Sequence, residues 1–230
     1  MNFQEGEILL VDKPYGWTSF DAVNKIRWHL KRALKLKKIK VGHAGTLDPL
    51  ATGLLVICTG KFTKKIEELT GAPKTYTGTF LLGKTTPSFD LETSYNEEFP
   101  IDHINAQLIE EIRQSFVGEQ LQTPPLFSAK QVDGKRAYDF ARAGKTIELK
   151  QNPIFIESFT IDAIRFPEID FEIRCSKGTY IRSIASDFGK KLNSGATLIA
   201  LRRTFSGDLS VGDAKTPEQW IEKIELLFPQ

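Results

Sequence analysis

The chain has 230 residues, 40% apolar and 26% charged, enough to bury a core without disulfide or metal staples. A formal net charge of +2 is too small to announce a nucleic-acid partner by itself. No apolar run approaches the roughly 18 residues of a membrane span, so a soluble protein of one domain, residues 1–230, is expected. Cys58 and Cys175 lie far apart, with no CxxC spacing and no neighbouring histidines, which points to a reducing cytoplasm rather than to disulfide or metal chemistry. The segment from Met1 to Glu7 carries two acids and no apolar stretch, so export is not expected.

In chain order, Ile8 to Val11 reads as a short apolar strand, ended by Asp12-Lys-Pro-Tyr-Gly16, which has the proline and glycine of a turn. Thr18 or Ser19 then caps a helix in which Phe20, Val23, Ile26 or Arg27, Leu30 and Leu34 recur at helical spacing. A lysine-rich loop follows. Leu54 to Cys58 is an apolar run of strand length, Lys61 to Leu69 a helix, and Tyr76 to Leu82 a strand. Thr85 to Pro100 is polar and turn-rich, and an amphipathic helix is expected near Ala106 to Phe116. The paired prolines of Gln120-Leu-Gln-Thr-Pro-Pro125 predict a loop or linker, and Ala137 to Ala143 a short helix closed by Gly144. Ile154 to Phe166 and Asp170 to Cys175 alternate like the strands of a hairpin, Tyr180 to Leu192 returns to a helical pattern, and Thr216-Pro-Glu-Gln219 starts the last helix with a cap and an N1 proline. Strands and helices interleaved without a βαβ repeat favour an α+β fold with a mixed, mostly antiparallel sheet flanked by helices.

Charge is unevenly spread. Between Ala22 and Ile66 there are eleven Lys/Arg, eight of them within Lys25 to Lys40, and Asp48 is the only acid. Solvated helix faces usually mix signs, so this run favours phosphate contact and salt-dependent binding.

Asp48 precedes Pro49 in the glycine-bounded stretch Gly42-His-Ala-Gly-Thr-Leu-Asp-Pro-Leu-Ala-Thr-Gly53. In such a loop the backbone can approach a ligand closely, and surrounding cations favour an ionised carboxylate able to act as nucleophile or base. An isolated Asp-Pro pair is ordinarily just a turn former. One further pattern, Gly78-Thr-Phe-Leu-Leu-Gly-Lys-Thr85, satisfies the phosphate-loop spacing GxxxxGK[ST]. Its spacer reads as a strand, and Pro87 stands where a helix should propagate, so no nucleotide cofactor is expected.

The whole stretch Gly42 to Gly53, with Cys58-Thr-Gly60 and Thr63-Lys64, resembles the catalytic signature of the TruB family of tRNA pseudouridine synthases. The resemblance continues through Leu10-Val-Asp-Lys-Pro14, Gly16, Ser19, Lys74, Tyr76, Pro124-Pro125, Ser128-Ala-Lys130, Gly134-Lys135, Ala137-Tyr138, Ala141-Arg142, Gly144, Cys175-Ser-Lys-Gly-Thr-Tyr-Ile-Arg182 and Leu201-Arg-Arg203. It implies a pseudouridine synthase-like fold with a catalytic cleft. It also implies isomerisation of uridine 55 in the T-loop of tRNA, with Asp48 as nucleophile on either ribose C1′ or uracil C6. Neither cofactor nor metal is needed. By the same resemblance His43 supports the flipped-out nucleotide, Tyr76 and Tyr180 line the uracil pocket, Tyr76 is a candidate base, Arg182 pairs with Asp48, and Leu201 closes the pocket. The expected partner is the tRNA T-stem loop, bound by a monomer. A second reading is a tRNA-folding module in which catalysis is incidental. The chain resembles a short form without the C-terminal PUA-type domain. Thr85 to Asn96 departs from the family's usual acidic, Thr-rich stretch, leaving only Asp90 there as a candidate for function.

Overall fold

The computed structural model describes residues 1–128, 131–132, 135–136, 138, 140 and 149–229. The expected short helix at Ala137 to Ala143, and with it most of the matched positions between Ala129 and Gly144, lies outside the described residues. The chain divides into two compact units, the first built from Met1–Tyr76 and Leu201–Gln230 and the second from Thr77–Ala200.

In the first unit β1 (Ile8–Lys13) runs antiparallel to β3 (Thr52–Thr59), pairing Ile8 with Cys58 and Lys13 with Gly53. Along its other edge β3 takes β2 (Val41–His43) near its end and the Arg202-Arg203 part of β12 (Ala196–Ser206) near its start. Seven of the eight residues of β3 are buried, as a central strand of apolar residues must be. Helix α1 (Ser19–Ala33) begins with a reciprocal capping box between Thr18 and Asp21, which satisfies two otherwise orphaned backbone donors. Its buried face is Ser19, Ala22, Val23, Ile26 and Leu30. Phe20, expected on that face, is instead 61% exposed, and Trp28 is 55% exposed. At about 100° per residue, position 20 falls roughly a quarter-turn outside the stripe that Val23, Ile26 and Leu30 define. The Arg32 guanidinium lies 5.5 Å from the centre of the Trp28 ring.

After β3 the chain makes a 3-10 turn over Gly60–Lys65 and a short α2 (Ile66–Gly71), so the helix expected from Lys61 is split in two. The last helix, α5 (Pro217–Leu227), has the second capping box, with Thr216 and Gln219. Its Trp220 packs with Leu9, Val11, Ile26 and Leu30 and donates its indole N–H to the Leu10 carbonyl at 2.8 Å.

The second unit contains the later residues of β4 (Lys74–Leu82), β11 (Glu168–Cys175), β10 (Asn152–Arg165) and β7 (Gly118–Gln122), neighbours in that order. β10 and β11 form the expected hairpin, and β10 pairs antiparallel with β7. Gln120 to Gln122 is thus strand, contrary to the loop expected from the prolines. Its pairing with Asn152–Ile154 supplies the ladder, and only Thr123 onward is irregular. Two-residue strands β5 (Lys84–Thr85) and β6 (Glu97–Glu98) pair, as do β8 (Gln131–Val132) and β9 (Lys135–Arg136). Among the described residues, helices α3 (Ala106–Gln114) and α4 (Ile181–Lys191) also belong to this unit. Its core holds an aromatic cluster: Phe80 stacks on Phe171 with ring centres 4.2 Å apart and meets Phe188 at 5.7 Å, while Phe159 contacts Phe116 at 6.1 Å and Phe188 at 5.8 Å. Pairs of this geometry add about 1 kcal/mol each to the burial they accompany. Among the described residues no helix is long and apolar enough to cross a membrane.

Candidate active site

Asp48 sits, half-buried, in the connection between β2 and β3. Two features shape this loop from within. Gly45 takes φ +94° and Gly53 φ +101°, and a Cβ at Gly53 would run into the Arg203 backbone, so no other residue fits there. The Ala51 N–H donates to the Asp48 carbonyl at 3.0 Å, closing a turn with Pro49 at its second position.

The loop is then tied down from outside. Ser19, at the start of α1 and only 2% exposed, accepts from the Leu47 N–H at 2.8 Å and donates to the Leu47 carbonyl at 3.1 Å. The Pro49 carbonyl accepts from the Gly16 N–H at 2.9 Å and from Lys13 Nζ at 3.4 Å. Lys13 is wholly buried and also donates to the carbonyls of Pro14 at 3.0 Å and Trp17 at 2.6 Å. On the other side Arg203, 1% exposed, donates from Nε to the Leu54 carbonyl at 2.7 Å, from Nη2 to Gly45 at 3.1 Å and from Nη1 to Thr46 at 3.5 Å. Arg202 turns the other way, to a bidentate pair with Asp12 at 2.7 and 3.0 Å. Hydrogen bonds from charged donors contribute about 1.5–3 kcal/mol each, so two buried cations fix the path of the backbone that carries the carboxylate.

The electrostatics follow from this burial. Lys13 is lowered to about 8, first by desolvation and further by Arg203, with the Asp48 charge opposing. The attraction is mutual, so Lys13 in its ammonium form favours an ionised Asp48. His43, at the end of β2, is held below its ordinary value by burial and then by Arg203, against the Gly45 backbone. The ring is thereby held toward its neutral form, in which one nitrogen donates and the other accepts. Tyr76 and Leu201 are partly buried and pack against the Leu9–Val23–Ile57 core of the same unit. The first unit therefore holds Asp48, His43, Tyr76 and Leu201.

Tyr180 and Arg182 belong to the second unit. Tyr180 is the residue before α4, and its backbone is clasped by the Gln122 side chain, which accepts from its N–H at 2.8 Å and donates to its carbonyl at 3.0 Å. Arg182 is 3% exposed. Its Nε lies 3.6 Å from the Asp90 carboxylate, itself 4% exposed, and its Nη1 donates to the Phe127 carbonyl at 3.0 Å and to Ser88 at 3.4 Å.

Residues 31–181 match the family model described as the N-terminal domain of TruB family pseudouridylate synthases. The chain belongs to the TruB family. It is similar to the tRNA pseudouridine synthase B of Flavobacterium johnsoniae, 58% identical over 213 residues that cover 92% of this chain and 93% of that one. It is 53% identical to the enzyme of the same name from Phocaeicola vulgatus, over 98% and 97% of the two chains. Among solved structures it resembles a chain of a Cbf5–Nop10–Gar1 complex, with TM-score 0.73 and 26% identity over 97% of this chain; it spans 56% of that one.

In this TruB-family chain the phosphate-loop pattern has a plain reading. Gly78 lies within β4, Gly83 is a turn at φ +80°, and Lys84-Thr85 is a strand paired with Glu97-Glu98 instead of a helix start. Three residues contribute in ways that sequence reasoning does not reveal. Lys13 and Arg203 match the family pattern without a role, because a lysine or arginine in isolation reads as surface. Asp90 gives no local sign of its burial against Arg182, although its Oδ1 also accepts from the Glu92 N–H at 3.0 Å, a turn signature that Asp often supplies.

Proposed function

We propose that the chain isomerises the uridine at position 55 of the tRNA T-loop to pseudouridine, with Asp48 as nucleophile. The observation that carries this reading is the match, near full length, to relatives named tRNA pseudouridine synthase B. The braced Asp48 loop supports it chemically. The Asp48 carboxylate adds to the uridine at C1′ or C6, the C1′–N1 bond breaks, and the base turns within the site. A C1′–C5 bond then forms, the bond to Asp48 breaks (displaced by C5 at C1′, or eliminated from C6) and returns the free carboxylate, C5 loses its proton and N1 gains one. Positioning is the main demand of such a sequence, and Lys13, Ser19 and Arg203 meet it by fixing the loop. His43 supports the extruded nucleotide, Tyr76 lines the uracil pocket and is the candidate base for the C5 proton, and Leu201 closes the pocket. Tyr180 and Arg182 keep the roles that the resemblance assigns them. The T-stem loop is the element recognised, and the protein acts as a monomer in the cytoplasm, where its two buried cysteines remain reduced.

Tritium release from tRNA carrying 5-tritiated uridine is the direct test. Wild-type protein releases it; Asp48→Asn releases none while keeping its circular dichroism spectrum and tRNA affinity. Turnover retained in Asp48→Asn would refute the assignment.

A further inference from the structure

The first unit carries more positive charge than the Asp48 loop uses. Four of the eleven cations between Ala22 and Ile66, namely Lys38, Lys40, Lys61 and Lys64, line one open hollow of about 280 Å³ together with Ile39 and Thr63. All four side chains are exposed. Lys61 bridges to Glu5 at 2.7 Å, whereas Lys38, Lys40 and Lys64 have no ion pair among the described residues.

The backbone beneath them is fixed at both ends. Helix α1 finishes with Lys35 at φ +52°, the Leu36 N–H donating to the Lys31 carbonyl at 2.9 Å and the Lys35 N–H to Arg32 at 3.2 Å. That is a Schellman ending, formed here without the usual glycine. The Gly60 N–H donates to the Lys40 carbonyl at 2.9 Å, and Gly60 itself, at φ +52°, sits so close to the Phe3 and Gln4 carbonyls that a Cβ would overlap them. The two lysine-bearing segments are thus clipped together, and the hollow exists before any ligand arrives.

Exposed lysines hold a small anion weakly, since a single surface ion pair is screened by water and salt. A polyanion that engages several at once also gains the entropy of the counterions it releases. Lys31, Arg32, Lys35 and Lys37, which precede Lys38 in the chain, are exposed as well and add the kind of positive charge that a strand of phosphates requires. We propose that this hollow binds phosphodiesters of the RNA substrate's backbone, as a contact additional to the one at Asp48. The proposal rests on the reading that the substrate is RNA.

The test compares wild-type protein with Lys38→Gln/Lys40→Gln, both exposed positions that line the hollow, by measuring Kd for unmodified tRNA across a salt series. The expected change is a log Kd against log salt slope shallower by about 1 to 2, from roughly 0.7–0.9 for each phosphate no longer neutralised, and affinity weaker on the order of tenfold at ~0.1 M salt. KM rises with kcat unchanged. Lys190→Gln/Lys223→Gln removes the same charge from elsewhere and leaves the slope as in wild type. An unchanged slope in the first variant, or an equal change in the second, overturns the proposal. Because the slope is read from binding alone, it is judged separately from turnover. Failure of wild-type protein to form pseudouridine would overturn the function, not this contact.

Discussion

The two units bury their cations in different ways. In the first, Lys13 and Arg203 are satisfied by main-chain carbonyls; in the second, Arg182 donates to the Phe127 and Ser88 carbonyls and also faces the Asp90 carboxylate, in a unit whose core holds five packed phenylalanines. A buried charge is costly unless it is paired or fully hydrogen-bonded, so both arrangements are solutions, but they constrain different things. A cation that spends its donors on carbonyls dictates the path of the backbone. A cation that adds a carboxylate partner also fixes the position of that one side chain. The first unit is therefore built for the accuracy of a loop, the second for the cohesion of a core.

The largest expected stability loss tests the second half of that contrast. Phe80→Ala removes a ring packed on Phe171, Phe159 and Phe188 and should cost about 4 kcal/mol, read by chemical denaturation, with kcat almost unchanged wherever the protein stays folded. Asp90→Asn removes the charge of the carboxylate that faces the buried Arg182 and should cost about 3 kcal/mol. Denaturation of Arg182→Met and of the double variant alongside it closes a cycle, and losses that simply add would show that the pair is not coupled. Arg203→Met takes the donors from the Gly45, Thr46 and Leu54 carbonyls. Its expected stability loss is smaller, about 2 kcal/mol, yet single-turnover rates should fall on the order of 100-fold, because misplacing the nucleophile by even an ångström has that effect. If Phe80→Ala proved the more damaging to rate and Arg203→Met to stability, the comparison would be reversed.

The smallest effect is on pH. Lys13 is held at about 8 when folded, below its ordinary 10.5, so the folded chain gives up this proton first. Through this group, stability is lost as pH falls through about 8 and is fully present only above about 10.5. Rate runs the other way, since a neutral amine donates one bond fewer to the Pro14, Trp17 and Pro49 carbonyls. A decline of a few-fold in single-turnover rate is expected above pH ~8, and Lys13→Arg, which stays charged, should shift or abolish it. An identical profile in the variant would remove Lys13 from the account.

Much of the fold is legible where the signal is local. Thr18 and Thr216 announce their helices because a capping hydroxyl acts within three residues, and the β10–β11 hairpin shows in its alternation. Signals that depend on distant neighbours mislead or are absent. Phe20 looks apolar and therefore inward, but the core-facing stripe is set by what α1 packs on, Leu9, Val11 and Trp220 among others. The strand Ala196–Ser206 leaves no clear pattern, its alternation broken by Arg202 and Arg203, whose partners lie some 150 to 190 residues earlier. For the candidate site the sequence pattern points to Asp48, His43, Tyr76, Tyr180, Arg182 and Leu201 through their resemblance to a family. It does not indicate Lys13 or Arg203 as braces, since the carbonyls they serve carry no side-chain signature.

The outward turn of α1 also gives the molecule an optical handle. Of the three tryptophans, Trp220 is 6% exposed and Trp17 is packed against the core, while Trp28 stands 55% open beside Arg32 on the cationic helix. A collisional quencher such as acrylamide will reach chiefly that one indole. Its emission then registers what arrives at the basic face while the two shielded indoles report on the integrity of the fold, so a single unlabelled sample separates docking from unfolding.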